Sequence, residues 1–218
     1  NDELEETNSK FSGTNSGEVY DVPNWRVGDK WVYETGFDVN ELIAQANVSA
    51  SIDTLVGDTS VEVEDITFMD IEGVQSLVYI VGISGYFETG SNSQITTPGG
   101  DSYTGQVQIT YTGQDIYRVS DLAQWNMTFS LTVRFVPYIF GFPVGIATQT
   151  LANNLEFSTI YNPPREKYDF PLRTGDQWVA TYDSSTNVSG TSDYFDPGEF
   201  STPYVEDNTT YQATANGT

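Results

Sequence analysis

Apolar and polar residues alternate along most of this chain, and the period is two. Val107, Ile109 and Tyr111 alternate with polar neighbours in GQVQITYTGQDIYRVS. Met127, Phe129, Leu131, Val133 and Phe135 do so in WNMTFSLTVRFV, and Leu155 and Phe157 in NNLEFSTIYNPP. Successive side chains of an extended strand point to opposite faces, so this pattern predicts strands with one wet face. TSVEVEDITFMDI alternates at Val61 and Val63, then shifts phase to Ile66 and Phe68, which predicts a β-bulge beside Asp65. KWVYETG and the β-branched, aromatic SLVYIVGISGYFETG add two more strands. The fold class expected is mainly β: a large curved antiparallel sheet, or a sandwich or half-barrel, with one short helix.

The helix is predicted at DVNELIAQA. Asp38 suits an N-cap, with Glu41 three residues on, and Val39, Leu42, Ile43 and Ala46 share a face. At Val48 the period returns to two, so the helix ends near Asn47. The longest apolar run, Phe135 to Ala147, holds two prolines and two glycines and is too short to span a bilayer as a helix. It is expected to be a buried strand and turn, the alternative being a sticky surface loop.

One phrase occurs twice. WRVGDKWVYE contains Arg26, Gly28, Asp29, Trp31 and Val32; LRTGDQWVAT contains Arg173, Gly175, Asp176, Trp178 and Val179, 147 positions on. Pro23 and Pro171 lead the two copies. Gly-Asp is turn chemistry, because glycine accepts a positive φ and aspartate bonds nearby backbone. Each phrase therefore reads as a turn followed by a strand anchored by a buried tryptophan, with Arg26 and Arg173 over an aromatic ring or beside an acid. The organisation expected is a polar segment at 1–19, able to serve as a donor strand or linker, a main β domain at 20–164, and a second Gly-Asp-x-Trp unit at 165–218. That second unit is short, so a neighbouring subunit or further chain is expected to complete it.

Gly-Asp-x-Trp openings, long strands, polar tails and sequons together resemble archaeal cell-surface proteins of extracellular filaments and S-layers. The phrase Gly28-Asp29-Lys30-Trp31-Val32-Tyr33 also resembles the first strand of LolA-type half-barrel lipoproteins. The first resemblance implies polymerisation through strands. The second implies a hydrophobic groove for acyl chains, although the lipid-bearing cysteine of that family is missing here. Neither implies catalytic residues.

Composition narrows the chemistry. Thirty-one acids against eight basic residues give a net charge of −23, which repels nucleic acid and anionic lipid and attracts divalent cations. Without histidine or cysteine, Ser-His-Asp and Cys-His machinery and ordinary zinc sites drop out. Acids such as Asp65, Asp70, Glu72, Asp115 and Asp121 could form a glycosidase pair, but a chain this acidic makes such pairs by default. Calcium, which takes oxygen ligands, has two candidate clusters: Asp58, Asp65 and Asp70, then Asp193, Asp196 and Glu199. Sequons at Asn47, Asn126, Asn187, Asn208 and Asn216 point to N-linked glycans and an extracellular or cell-surface location. The function expected is a non-enzymatic subunit of an extracellular filament or surface layer, joined to copies of itself by strand addition. A half-barrel carrier for a hydrophobic or carbohydrate ligand is the alternative.

Overall fold

A computed structural model describes residues 19–37, 50–97, 99–193 and 196–213. The strands in chain order are β1 (Val19–Tyr20), β2 (Lys30–Phe37), β3 (Ala50–Ser51), β4 (Leu55–Ile71), β5 (Val74–Glu88), β6 (Ser93–Thr96), β7 (Ser102–Arg118), β8 (Gln124–Ile139), β9 (Phe142–Pro143), β10 (Gln149–Arg165), β11 (Leu172–Arg173), β12 (Gln177–Thr191) and β13 (Thr202–Gln212). The only helices among the described residues are two short 3₁₀ turns, Gly145–Ala147 and Pro197–Phe200. The helix expected at 38–47 lies outside the described residues, as does the 1–19 segment up to Val19.

Eight strands form an antiparallel meander in the order β13-β12-β10-β8-β7-β5-β4-β2, and the sheet is not closed into a barrel. β12 and β13 pair into the same sheet as the strands of 20–164, so the second Gly-Asp-x-Trp phrase opens two further strands of that sheet. The 164/165 boundary falls inside β10.

Register explains the alternation. Trp31, Val61, Ile83, Gly113, Phe129, Phe157 and Val188 form one cross-strand row. The adjacent row on the opposite face is Val32, Ser60, Ser84, Thr112, Ser130, Glu156 and Ser189. A one-residue slip would exchange the two faces, so burial of the first row fixes the pairing. The bulge predicted beside Asp65 is present: the β4–β5 register shifts between Val63 and Asp65.

The apolar face is covered at both ends. β1, just before edge strand β2, pairs with β11, just before β12 near the far edge. Tyr168 is close enough to Tyr33 on β2 and Tyr211 on β13 for both to act on its ionisation. Trp25 packs across this face, its ring 5.5 Å from Trp31, 5.1 Å from Tyr79 and 6.0 Å from Tyr117. One end of the face is thus covered by the approaches to the two phrases, around Val63, Tyr79, Val81 and Leu122. The other end is covered by the β3–β6 pair, around Ile52, Leu55, Phe87, Ile95, Val107 and Phe135.

The two phrases fold alike. In the first, the Arg26 N–H donates to Asp29 Oδ2 (2.8 Å), the Asp29 N–H to the Arg26 carbonyl (3.0 Å), and the Gly28 N–H to Val63 O (2.8 Å). In the second, Arg173 N–H donates to Asp176 Oδ2 (2.7 Å), Asp176 N–H to Arg173 O (3.0 Å), and Gly175 N–H to Ala213 O (2.9 Å). Gly28 and Gly175 have φ of +93° and +94°, which explains the glycine. The arginines differ from expectation: among the described residues neither guanidinium meets a ring or an acid, and the bonded group is the backbone N–H. Trp31 and Trp178 are half-buried rather than buried. Trp178 stacks on Tyr211 and donates its indole N–H to Glu166 O.

The apolar run 135–147 departs from its expected burial. Phe135, Val136 and Pro137 are buried, but Ile139, Phe140, Phe142 and Ile146 are exposed. β8 outruns its neighbours, because pairing with β7 ends at Pro137 and pairing with β10 at Phe135.

Two measurements follow from these contacts. Gly28→Ala and Gly175→Ala, where no atom lies within 4 Å of the added Cβ, each lose about 1 kcal/mol in urea denaturation, from the dihedral alone. Gly85→Ala loses about 1–3 kcal/mol, because its Cβ would fall 2.5 Å from the Tyr111 ring and 2.8 Å from the Asp58 carbonyl oxygen.

Candidate ligand groove

Between the two covered ends the apolar face is open, and a trough of about 330 Å³ runs there. Its walls include Ile83, Phe87, Ile109, Tyr111, Met127, Phe129 and Leu131, with Thr35 and Thr128 at the margin. These side chains come from β7 and β8, whose two-residue period was plain, and from the β-branched, aromatic β5. Gly113 leaves a gap in the row between Ile83 and Phe129. Tyr111 stacks against Phe87 (5.8 Å), crosses Gly85, and shares a hydrogen bond of 2.6 Å with Thr59 Oγ1. Phe129 stacks on Phe157 at 4.4 Å. A half-buried wall of this kind is stabilised by cross-strand aromatic pairs.

The trough wall is almost wholly apolar, with one buried acid at its end. Asp115 lines it and is buried; its Oδ2 accepts from the Tyr117 hydroxyl at 2.8 Å, while Oδ1 has no partner. Gln124, fully buried, accepts from Arg165 Nη2, and its own Nε2 has no partner; nor has Arg165 Nε. The Arg165 guanidinium lies 4.5 Å over the Tyr161 ring and 5.7 Å from that of Tyr182, and Lys167 Nζ lies 5.7 Å from the Tyr117 ring. Burial pushes the Asp115 carboxyl above the usual carboxylate range, against the pull of the Tyr117 hydroxyl, Lys167, the nearby Gln124 amide and Arg165. Burial, then the Arg165 charge, push the Lys167 ammonium down to about 8, with Asp115 opposing. Unsatisfied buried polar atoms are costly; of these three residues only Asp115 lines the trough, and the Gln124 amide lies close enough to favour the charged form of Asp115.

The opposite, polar face has a wider depression of about 580 Å³ bordered by Lys30, Glu62, Glu64, Gln114 and Glu156. Two of its three acids are engaged within the chain: Lys30 bonds Glu62 at 3.1 Å, and Gln114 Nε2 donates to Glu64 at 2.7 Å.

The acids singled out from the sequence are dispersed. Asp58, Asp65 and Asp70 lie along β4, roughly 23 and 16 Å apart at 3.3 Å per residue. Asp196 caps a turn by accepting from the Gly198 N–H. Among the described residues no three His, Cys, Asp or Glu side chains approach as a metal-holding group. Of the glycosidase candidates only Asp115 lines the groove. Asp121 is held by Arg118, Asp65 accepts from the Ile66 N–H, Asp70 accepts from the Gly73 N–H, and Glu72 lies in the turn between β4 and β5. Among the sequons, Asn187 and Asn208 are exposed near or on the β13 edge, with Asn208 accepting from Thr181; Asn126 is half-buried inside β8. Asn47 and Asn216 lie outside the described residues. Arg165, Lys167 and Gln124 were missed from sequence, because none sits in a motif and the meander alone gathers them around Asp115.

Lys167→Met tests the corner around Asp115. A lysine with a lowered folded value carries its cost wherever it is charged in both states, below about pH 8. The variant's gain in stability is full there, shrinks between pH 8 and the ordinary lysine value, and is gone above it; paired melts across that range read it.

No helix of the described residues is long and apolar enough to cross a membrane. No protein family, curated protein or solved structure matches the chain, so its reading rests on this geometry.

Proposed function

We propose that the chain is a carrier whose groove holds an amphiphile, an apolar chain along the trough with a hydrogen-bonding head at Asp115. The observation that carries this reading is the open, aromatic-walled trough, with the buried Asp115 carboxyl at its end. Ligand sites are concave, mainly apolar and furnished with a few convergent polar groups, in volumes of roughly 300–1,000 Å³. Leu131→Glu places a charge in the trough and should weaken binding of a long-chain alcohol at least tenfold, while Leu131→Met should leave it near wild type; titration calorimetry decides. The alcohol should also bind more tightly than an alkane of equal length, and Asp115→Ala should erase that preference. Equal binding by Leu131→Glu and wild type would remove the groove as the site.

A second reading, assembly by strand addition, is favoured by the edges. Among the described residues β2 and β13 have a strand partner on one side only. Eight antiparallel strands make the two edges run in opposite directions, so β13 of one copy could continue the sheet onto β2 of the next. β13 spans 11 residues and is mostly exposed. Glu206→Pro would remove an outward-facing edge N–H, since Ala213 N–H bonds Asp176 O and the odd residues of β13 share its inward orientation; an oligomer ladder in native mass spectrometry that this variant abolishes would support the assembly.

A further inference from the structure

We infer that the hairpin tip formed by β8, β9 and the following 3₁₀ turn is a membrane-contacting surface, which inserts into the headgroup layer of a neutral, zwitterionic bilayer. This does not rest on the groove reading. Ile139, Phe140, Phe142 and Ile146 are 55%, 96%, 73% and 101% exposed, four large apolar side chains at one extremity. Tight packing does not explain them, and neither does the turn. Tyr138 pairs with Pro143 and Ile139 with Phe142, leaving Phe140 and Gly141 as a two-residue loop with φ of +52° and +82°. Asparagine, aspartate or glycine is the ordinary choice for the first of these positions, and a bulky residue there is strained. A phenylalanine kept in a strained, fully exposed position points to a role outside the fold.

Charge selects the partner. The chain carries −23 overall, yet no charged residue occurs between Arg134 and Glu156. The acidic body disfavours an anionic surface, while the uncharged tip has no electrostatic cost against a neutral one. Size argues in the same direction. A specific protein interface engages about 20–30 residues a side, far more than this tip offers, whereas a bilayer requires no matching shape. The chain's own groove is out of reach, since Leu131 and Phe140 are nine residues apart along the strand line, roughly 30 Å. The tip backbone is also partly closed on itself: Val144 N–H donates to Pro137 O, Ala147 N–H to Val144 O, and the Thr148 N–H and hydroxyl both to Gly145 O. Pro143 has no N–H to leave bare. Internal satisfaction of this kind is what entry into a lipid layer demands.

The test is flotation with phosphatidylcholine vesicles, repeated with phosphatidylserine added. Phe140→Asn suits the left-handed turn and should keep or raise the melting temperature, so the double variant with Phe142→Ser separates folding from binding. Since the chain has no cysteine, Ala147→Cys can carry an environment-sensitive fluorophore. Expected are flotation of the wild type, at least tenfold less for the double variant, weaker binding with phosphatidylserine, and a blue shift at position 147 with vesicles. Failure of the wild type to float, or equal flotation of the double variant, overturns the inference. A blue shift that grows with protein concentration in the absence of vesicles would overturn it too, assigning the tip to a second copy.

Discussion

A sheet with one apolar face must cover that face, and most of this structure follows from how it does so. The strands are up to 17 residues long, so the face is larger than the short pieces of chain available to cover it. Trp25 and the β1–β11 ladder close one end; the β3–β6 pair closes the other. What remains between them is the trough. It is the part of a large apolar face that the described chain leaves open, walled by residues whose alternation was fixed by the need to bury the ends of the same strands.

The same constraint sets where chemistry can occur. Polar residues on the apolar side are few, so those present are conspicuous. Asp115 interrupts the row of Val63, Val81 and Met127, and Arg165, Lys167 and Gln124 gather beside it. Burial keeps the Asp115 carboxyl high and the Lys167 ammonium low, which makes both groups easier to neutralise than their surface counterparts. The opposite face, by contrast, presents serine, threonine and acid rows.

The repeated phrase is a device for turning the chain into a strand. Its hydrogen bonds agree within 0.1 Å between copies, although β2 lies at an edge and β12 inside the sheet. Local chemistry therefore specified the turn without specifying the place of the strand that follows. The reading of each phrase as a turn leading into a strand could be made from glycine and aspartate alone. The idea of a separate second unit could not be judged from the residues, because pairing of β12 with β10 is a long-range choice. The arginine partners were misread for a related reason: the bonded atom is the backbone nitrogen, which any residue supplies.

Sequence by itself determined the strands, their inward faces, the bulge beside Asp65 and the two turns, since each depends on neighbours a few positions apart. The groove walls were legible in that sense, as Ile109, Tyr111, Phe129 and Leu131 already alternated correctly. Tertiary structure alone decided which strands meet, that the sheet curls without closing, and that Asp115, Gln124, Arg165 and Lys167 share one corner. It also decided that the 135–147 run emerges past Pro137 instead of being buried. Hydrophobicity states that a side chain favours leaving water; only the lengths of the neighbouring strands determine whether anything is there to receive it.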